Sequence, residues 1–250
     1  MSPPIGFQFA MPADPWGNGP LLPQAWRPDR EEPGDGDGHR WVVVDPAGHL
    51  RLTDGTDIAL RPFVAGDGDL LVAGFARLSS QSRYRRFLSP VPRLTDSMLA
   101  FLTAVDGHHH RAFGALVEEP TGPIGAGVMR WVRTKGDPAA ADLAITVIDD
   151  YQGRGLGGLL LDVAVLDGLA HGLDRFEGLV LGENISSRRM LARGGATLRP
   201  DGGGVLAYRL PLRARIEALG DSPLPALVAA LGRRSGLRPG GLAAGRWAAP

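Results

Sequence analysis

The chain contains no cysteine. Disulfides, thiolate zinc sites, iron–sulfur ligation and a cysteine nucleophile are therefore excluded, and a reducing compartment suits such a chain. Surplus charge is missing too. Across 250 residues, 27 Lys and Arg balance 27 Asp and Glu, which excludes a general nucleic-acid binder, whose phosphate contacts need a basic excess. Lysine is nearly lacking: Lys135 is the single example, and arginine supplies the rest, as GC-rich codons favour. A P-loop needs Gly-Lys-Ser/Thr, but Gly136 follows Lys135, so no P-loop is present. Long apolar runs are lacking as well. Met1 to Ala10 has neither basic residues nor a signal-peptide core. The longest apolar stretch, Leu156 to Leu173, is broken by Asp162, Asp167 and His171. The expectation is a soluble cytoplasmic protein without nucleic-acid or membrane partners.

What the chain has in quantity is glycine (36) and proline (21), unevenly placed. Residues 1–40 hold 14 of them, including the polar run Glu31 to Gly38, which cannot bury enough apolar surface to offset ordering. Residues 1–47 are thus expected to be a flexible extension, although Trp16, Leu21, Leu22 and Trp26 could dock. Residues 213–250 are expected to be a second extension, with a short helix at Leu224 to Leu231 and a disordered end. Between them, 48–212 reads as one domain. Strands are expected at Ile58–Arg61, Arg111–Val117, Ile124–Val132, Asp142–Ile148, Phe176–Leu181 and Gly204–Leu210. Helices are expected at Asp69–Leu78, Thr95–Val105 with Thr95 as N-cap, from Leu156 onward, and at Ser186–Arg193. The turn Pro120-Thr121-Gly122-Pro123 makes a central hairpin. This order predicts a mixed α/β (α+β) fold with antiparallel pairing at its centre, rather than a uniform βαβ array.

The chemistry concentrates in Tyr151-Gln152-Gly153-Arg154-Gly155-Leu156-Gly157-Gly158, between a strand and a helix. Glycines let the backbone approach a ligand, and the helix N-terminus offers free N–H groups and partial positive charge, so the turn suits a diphosphate. Gly153-x-Gly155-x-x-Gly158 also matches the dinucleotide fingerprint, with Glu177 as a ribose acid. Against that match, four residues separate the first glycine from its strand, a hairpin precedes the turn, and too little chain follows for a dinucleotide domain.

Gln152-x-x-Gly155-x-Gly157 instead matches the Gln/Arg-x-x-Gly-x-Gly/Ala signature of GNAT acyl-CoA N-acetyltransferases, and the chain resembles that family over most of 48–212. The strand Ala141 to Val147, the leucines Leu159 to Leu161, Glu183-Asn184 and Met190-Leu191 all agree with it. Leu50 to Gly55, Ile58 to Pro62 and Ser79 to Phe87 look like the bacterial Pat-type protein-lysine acetyltransferases, without their regulatory domain. The resemblance implies a central mixed, mostly antiparallel sheet flanked by helices, with acetyl-CoA as cosubstrate, no metal, and a protein lysine as acceptor. A small amine acceptor, or a non-catalytic CoA sensor, is the alternative. It further implies that Ile145, Thr146 and Val147 bind the pantetheine arm by backbone. Gln152, Gly153, Arg154, Gly155, Gly157 and Gly158 would hold the pyrophosphate, with Arg154 adding charge or merely facing solvent. Asn184 would contact the CoA arm, or cap a helix, and Ser187 shares its surface.

Deprotonating a lysine amine of pKa about 10.4 at pH 7 costs about 4.6 kcal/mol, so a general base is needed. Pat-like enzymes place a Glu where this chain has Asp142, one methylene shorter and on the face opposite Leu143, Ile145 and Val147. A paired surface Asp is the alternative. Glu183 is the second candidate and Glu118 the third. Many relatives carry a Tyr seven residues after the Asn as general acid; Leu191 stands there, and Ala196 replaces a usual aromatic. His108-His109-His110 does not suit one metal ion, because adjacent strand residues face opposite ways. Arg83, Arg85 and Arg86 could meet an acidic protein surface or form a solvated helix face.

Overall fold

Alternation drives one face of the first strands inward. β1 (Trp41–Val43), β2 (His49–Leu52) and β3 (Asp57–Pro62) form an antiparallel meander in which Leu50, Leu52, Ile58 and Leu60 are buried. The structure, a computed structural model, describes residues 41–45, 47–216, 219 and 222–234. Three helices follow: α1 (Gly68–Ala76), α2 (Ser80–Phe87) and α3 (Asp96–Thr103). Ser79 and Thr95 cap the last two, their hydroxyls accepting from the Ser82 and Met98 N–H groups.

β4 (His110–Glu119) pairs antiparallel with β3 and then with β5 (Gly122–Arg133). The hairpin closes with Glu119 opposite Gly122, whose φ of +110° an L side chain would resist. β6 (Ala140–Val147) completes this antiparallel half. α4 (Leu156–Ala170) then crosses to β7 (Arg175–Leu181), which runs parallel to β6. α5 (Ile185–Arg193), β8 (Thr197–Gly202) and β9 (Val205–Pro211) follow. The sheet of the described residues has nine strands in the order β1-β2-β3-β4-β5-β6-β7-β9-β8, antiparallel except at β6–β7. The predicted mixed, mostly antiparallel sheet flanked by helices is what forms.

α4 differs from its expected one-sided pattern. Its residues are buried nearly all round, because β4, β5 and β6 cover one side while α6 (Leu212–Ile216) and α7 (Leu224–Arg234) cover the other. Leu224, Leu227, Val228 and Leu231 of α7 join the same core. Among the described residues, the packed unit therefore extends past the expected 48–212, taking in Trp41 and α7. The expected flexible head and tail fall largely on residues 1–40 and 235–250, outside the described residues, as do Trp16, Leu21, Leu22 and Trp26. Two carboxylates are buried on α4. Asp162 accepts from Arg215 Nε at 2.8 Å. Asp167 accepts from Arg111 Nε and Nη2 at 2.8 and 2.6 Å and from Trp131 Nε1 at 2.8 Å, which satisfies the charge.

The feature that positions the site is a split. β6 and β7 pair only from Ala140–Arg175 to Asp142–Glu177, then diverge. Tyr208 of β9 is the wedge. Its ring lies where a Cβ on Gly178 would sit, within 2.8 Å of Oη, and its hydroxyl donates to the Leu143 carbonyl at 2.7 Å. Beyond that bridge the backbone of β6 runs on without β7 as a neighbour.

Candidate active site

The split opens into a cleft of ≈ 590 Å³ lined by Asp142 to Val147 of β6, the glycine turn, the starts of α4 and α5, and Tyr208. Ile145, Thr146 and Val147 all line it, and so do Gln152, Gly153, Gly155, Gly157 and Gly158. After a single 3-10 turn, Asp149–Tyr151, the chain reverses through Gly153 (φ +76°) and Gly155 (φ +93°), left-handed values natural to glycine. Gly155 is the N-cap of α4 and brings no side chain to it. The first N–H groups of a 15-residue helix thus begin at the cleft wall uncapped, as an anion site requires. Gln152 serves the turn differently from a ligand-facing side chain. Its Nε2 donates to Val147 O at 3.0 Å, Asp149 Oδ1 at 3.1 Å and Ser82 Oγ at 3.3 Å, tying turn, strand end and α2 together.

Other expected residues are placed less simply. The Arg154 side chain does not line the cleft. It lies over the Tyr151 ring at 4.9 Å and reaches Asp54 at 3.6 Å, so its charge is directed at the β2–β3 turn. Asn184 lines the cleft and also caps α5, accepting from the Ser187 N–H at 3.2 Å; Ser187 lines the cleft beside it. The structure does not bring Glu183 to the cleft. The chain turns sharply after Leu181, with the Asn184 N–H bonded to Leu181 O, and Glu183 is left exposed at the turn. Glu118 is exposed near the β4–β5 turn and does not line the cleft either. Of the histidines, His109 faces outward and His110 inward, and no group of potential metal ligands clusters among the described residues.

Asp142 stands at the mouth of the split, lining the cleft. Burial raises its pKa from 3.8 to about 6, opposed by the Arg86 charge. Tyr208 is held well above its ordinary value by burial and then by the Asp142 charge, so it stays protonated and keeps its bond to Leu143 O. Burial lowers Arg86, while Asp142 and Tyr208 support its charge. Tyr208, Arg85 and Arg86 are cleft residues that sequence reasoning did not assign. The arginines carried a usable signal: Ser82, Arg85 and Arg86 fall on one face of α2 at i, i+3, i+4 spacing. Tyr208 carried none, because the split that it enters is a tertiary feature. Leu191, buried, lines the cleft where a tyrosine acid would stand in relatives.

A second, inner cavity of ≈ 80 Å³ lies between α1–α3 and the centre of the sheet. Leu78, Arg86, Ala144 and Thr146 line both spaces, so the two share a wall along β6.

Among the described residues, no helix is long and apolar enough to cross a membrane. The chain matches the acetyltransferase (GNAT) domain family over residues 57–197. It is 36% identical to Acetyltransferase Pat of Mycolicibacterium smegmatis over 158 residues, which is 63% of this chain and 46% of that protein. It is 30% identical to Acetyltransferase PA5475 of Pseudomonas aeruginosa over 125 residues, 50% of this chain and 63% of that protein. The chain thus spans about half to two thirds of the curated relatives it matches. The crystal structure of the GNAT domain of S. lividans PAT superposes with a TM-score of 0.59 at 27% identity, covering 65% of this chain and 95% of that one. With the split sheet, the uncapped glycine turn and these matches in hand, the chain belongs to the GNAT acetyltransferase family.

Proposed function

We propose that the protein is an acetyl-CoA-dependent N-acetyltransferase that acetylates a primary amine, and that the amine is a protein lysine. The observation that carries this reading is Asp142, a carboxyl raised to about 6 by burial, at the point where the unpaired length of β6 meets the cleft. The backbone of Ile145, Thr146 and Val147 is available to pair with the pantetheine arm as a further strand would. The N–H groups of the glycine turn suit the pyrophosphate, each charge-assisted bond contributing about 1.5–3 kcal/mol. Asp142, as carboxylate, takes the proton from the acceptor ammonium, directly or through a water. The freed amine nitrogen attacks the thioester carbonyl carbon, the new C–N bond forms, and the C–S bond breaks. The leaving thiolate receives the proton that the amide nitrogen sheds. No acyl-enzyme is needed, consistent with a chain that has no cysteine. The likeness to Pat-type proteins supports the lysine acceptor.

Intact-mass analysis of candidate acceptor proteins with acetyl-CoA, with and without this protein, tests the proposal. The expected result is a mass gain of one acetyl group per modified lysine that requires the protein. Acetyl-CoA binding with no turnover on any amine would favour a sensor role, and turnover on small amines alone would displace the lysine reading. The small, mostly apolar inner cavity is the observation that favours a small acceptor.

A further inference from the structure

Among the described residues, Arg130 is a buried cation without a matching anion. It projects from β5 onto the face opposite α4 and is only 4% exposed. Its Nη1 donates to His110 Nε2, and its guanidinium carbon lies 5.6 Å from the Phe63 ring centroid. Its Nη2 is buried with no hydrogen-bond partner among the described residues. The neighbours do not cancel the charge. Burial, and then the Arg130 charge, hold His110 down at about 4, so the imidazole is neutral at physiological pH. Asp67 is committed to Arg61 through two bonds of 2.7 Å. Asp142 faces Arg86. Burial and the nearby Arg86 charge lower Arg130 to about 9, the response of a cation that lacks a counter-charge.

Arg130 also lines the inner cavity, where, among the described residues, Arg61 and Arg86 are its charged companions and Asp67 the one acid. Most of the remaining wall is apolar, with Leu70, Phe87, Leu94 and Leu102 among its side chains. Gly114 and Gly125 add no side chains to the space; a Cβ on Gly125 would come within 3.7 Å of Leu70 O across it. A single water needs about 10–15 Å³, so ≈ 80 Å³ admits a ligand of several heavy atoms.

We infer that the inner cavity is an anion pocket for a carboxylate on a short apolar body, with Arg130 as its buried cation and Arg86 as the second positive charge. The charge balance of the wall, the orphaned N–H and the apolar lining each ask for that ligand. Because Ala144 and Thr146 line both spaces, a carboxylate held here belongs to a molecule whose other end lies at the transfer point. Two sources share this chemistry: the far end of a dicarboxylic acyl chain on CoA, or an acceptor amine that also bears a carboxylate. In either case the transfer step is unchanged: the C–N bond forms, the C–S bond breaks, and the carboxylate remains ionised. The transfer step rests on the acetyltransferase reading above; the binding site does not.

The test compares butyrate with butyramide, which has the same body without the charge, by calorimetric titration and thermal unfolding of the full chain. Butyrate is expected to bind about 10–100-fold more tightly, and Arg130→Met to erase that preference. Arg130→Met places an apolar side chain among apolar neighbours and should fold. If it does not, the butyrate–butyramide contrast in the unaltered protein decides. Turnover then separates the sources. A preference for succinyl-CoA over butyryl-CoA with a protein acceptor identifies the acyl chain, and a preference for γ-aminobutyrate over butylamine with acetyl-CoA identifies the acceptor. Equal binding of butyrate and butyramide, no binding of either, or a preference that survives Arg130→Met overturns the inference. Butyrate binding without any turnover leaves the pocket standing and counts against the acetyltransferase reading alone.

Discussion

Arg111 and Arg130 sit on neighbouring strands of one hairpin and are both buried, 6% and 4% exposed, yet they do opposite things. In the register of β4 and β5, Arg111 lies across from Trp131 and Ala112 from Arg130, so the two arginines leave the sheet on opposite faces. On the α4 face, Arg111 meets Asp167 in a two-bond pair, and Trp131 donates to the same carboxylate. On the other face, Arg130 meets a neutral histidine and a cavity. A buried charge with its partner in place is part of the framework, whereas one without a partner keeps a site open for a ligand. One face of this sheet has been closed with charge and the other left reactive.

The largest expected effect belongs to the reactive face. Asp142→Asn should lower kcat/KM about 10²–10⁴-fold at pH 7, measured by steady-state release of CoA; an undiminished rate would remove Asp142 as base. The pH profile sharpens this. Because burial raises Asp142 to about 6, kcat/KM should rise with pH through that value as the carboxylate forms, and the variant should lack that limb. The stability sign runs the other way. A carboxyl whose pKa is higher folded than unfolded favours the fold most below 3.8 and loses that contribution as pH rises through about 6. Asp142→Asn should therefore unfold no earlier than the parent at pH 7.

The closed face should break next. Asp167→Ala strands Arg111 and should cost about 3–5 kcal/mol of stability, read from the urea midpoint. A loss under about 1 kcal/mol would mean that the pair is not integral. Arg130→Met, in the same measurement, should be neutral or stabilising by up to about 4 kcal/mol, because it removes a charge rather than orphaning one. Equal losses from the two substitutions would dissolve the contrast between the faces. Gly155→Ala, at φ +93°, should cost about 1–2 kcal/mol in strain and raise the KM for acetyl-CoA more than it lowers kcat. The smallest effect is Tyr208→Phe. Loss of its bond to Leu143 O should cost about 1 kcal/mol, with a larger proportional change in acetyl-CoA affinity than in stability if the wedge holds the split open.

Much of the fold was legible where local chemistry decides it. Thr95 starts its helix where the pattern placed it, and the Pro120–Thr121 hairpin closes as read. Strands β3 to β7 and β9 lie on the segments whose alternation or apolar runs announced them. β2 escaped notice although Leu50 and Leu52 alternate with exposed Arg51, because four residues are too few to stand out; the other missed strands lack such signals. β1 is three residues long, and β8 contains Pro200 and Gly202 at the sheet edge, where proline is tolerated because it donates nothing. The candidate site divides similarly. Gly153, Gly155 and the residues of β6 were readable because turn and strand sit side by side in the chain. Arg86 looked like part of a solvated face, and Arg154 like a phosphate ligand, because the sequence does not say which way a surface arginine turns.

The sequence by itself determined the strand–turn–helix that can cradle a diphosphate, because glycine's freedom, helix capping and strand alternation act over a few residues. It also excluded an acyl-enzyme carried on cysteine, since no cysteine is present. Only the tertiary structure decided where β6 and β7 part, that Tyr208 arrives from β9 to hold them apart, and which of two buried arginines finds a carboxylate. Those outcomes depend on sheet register and on α4 seating Asp167 beneath Arg111, contacts between residues 56 positions apart. No local propensity encodes such a meeting, because the charge of one residue is balanced only where the fold brings another to it.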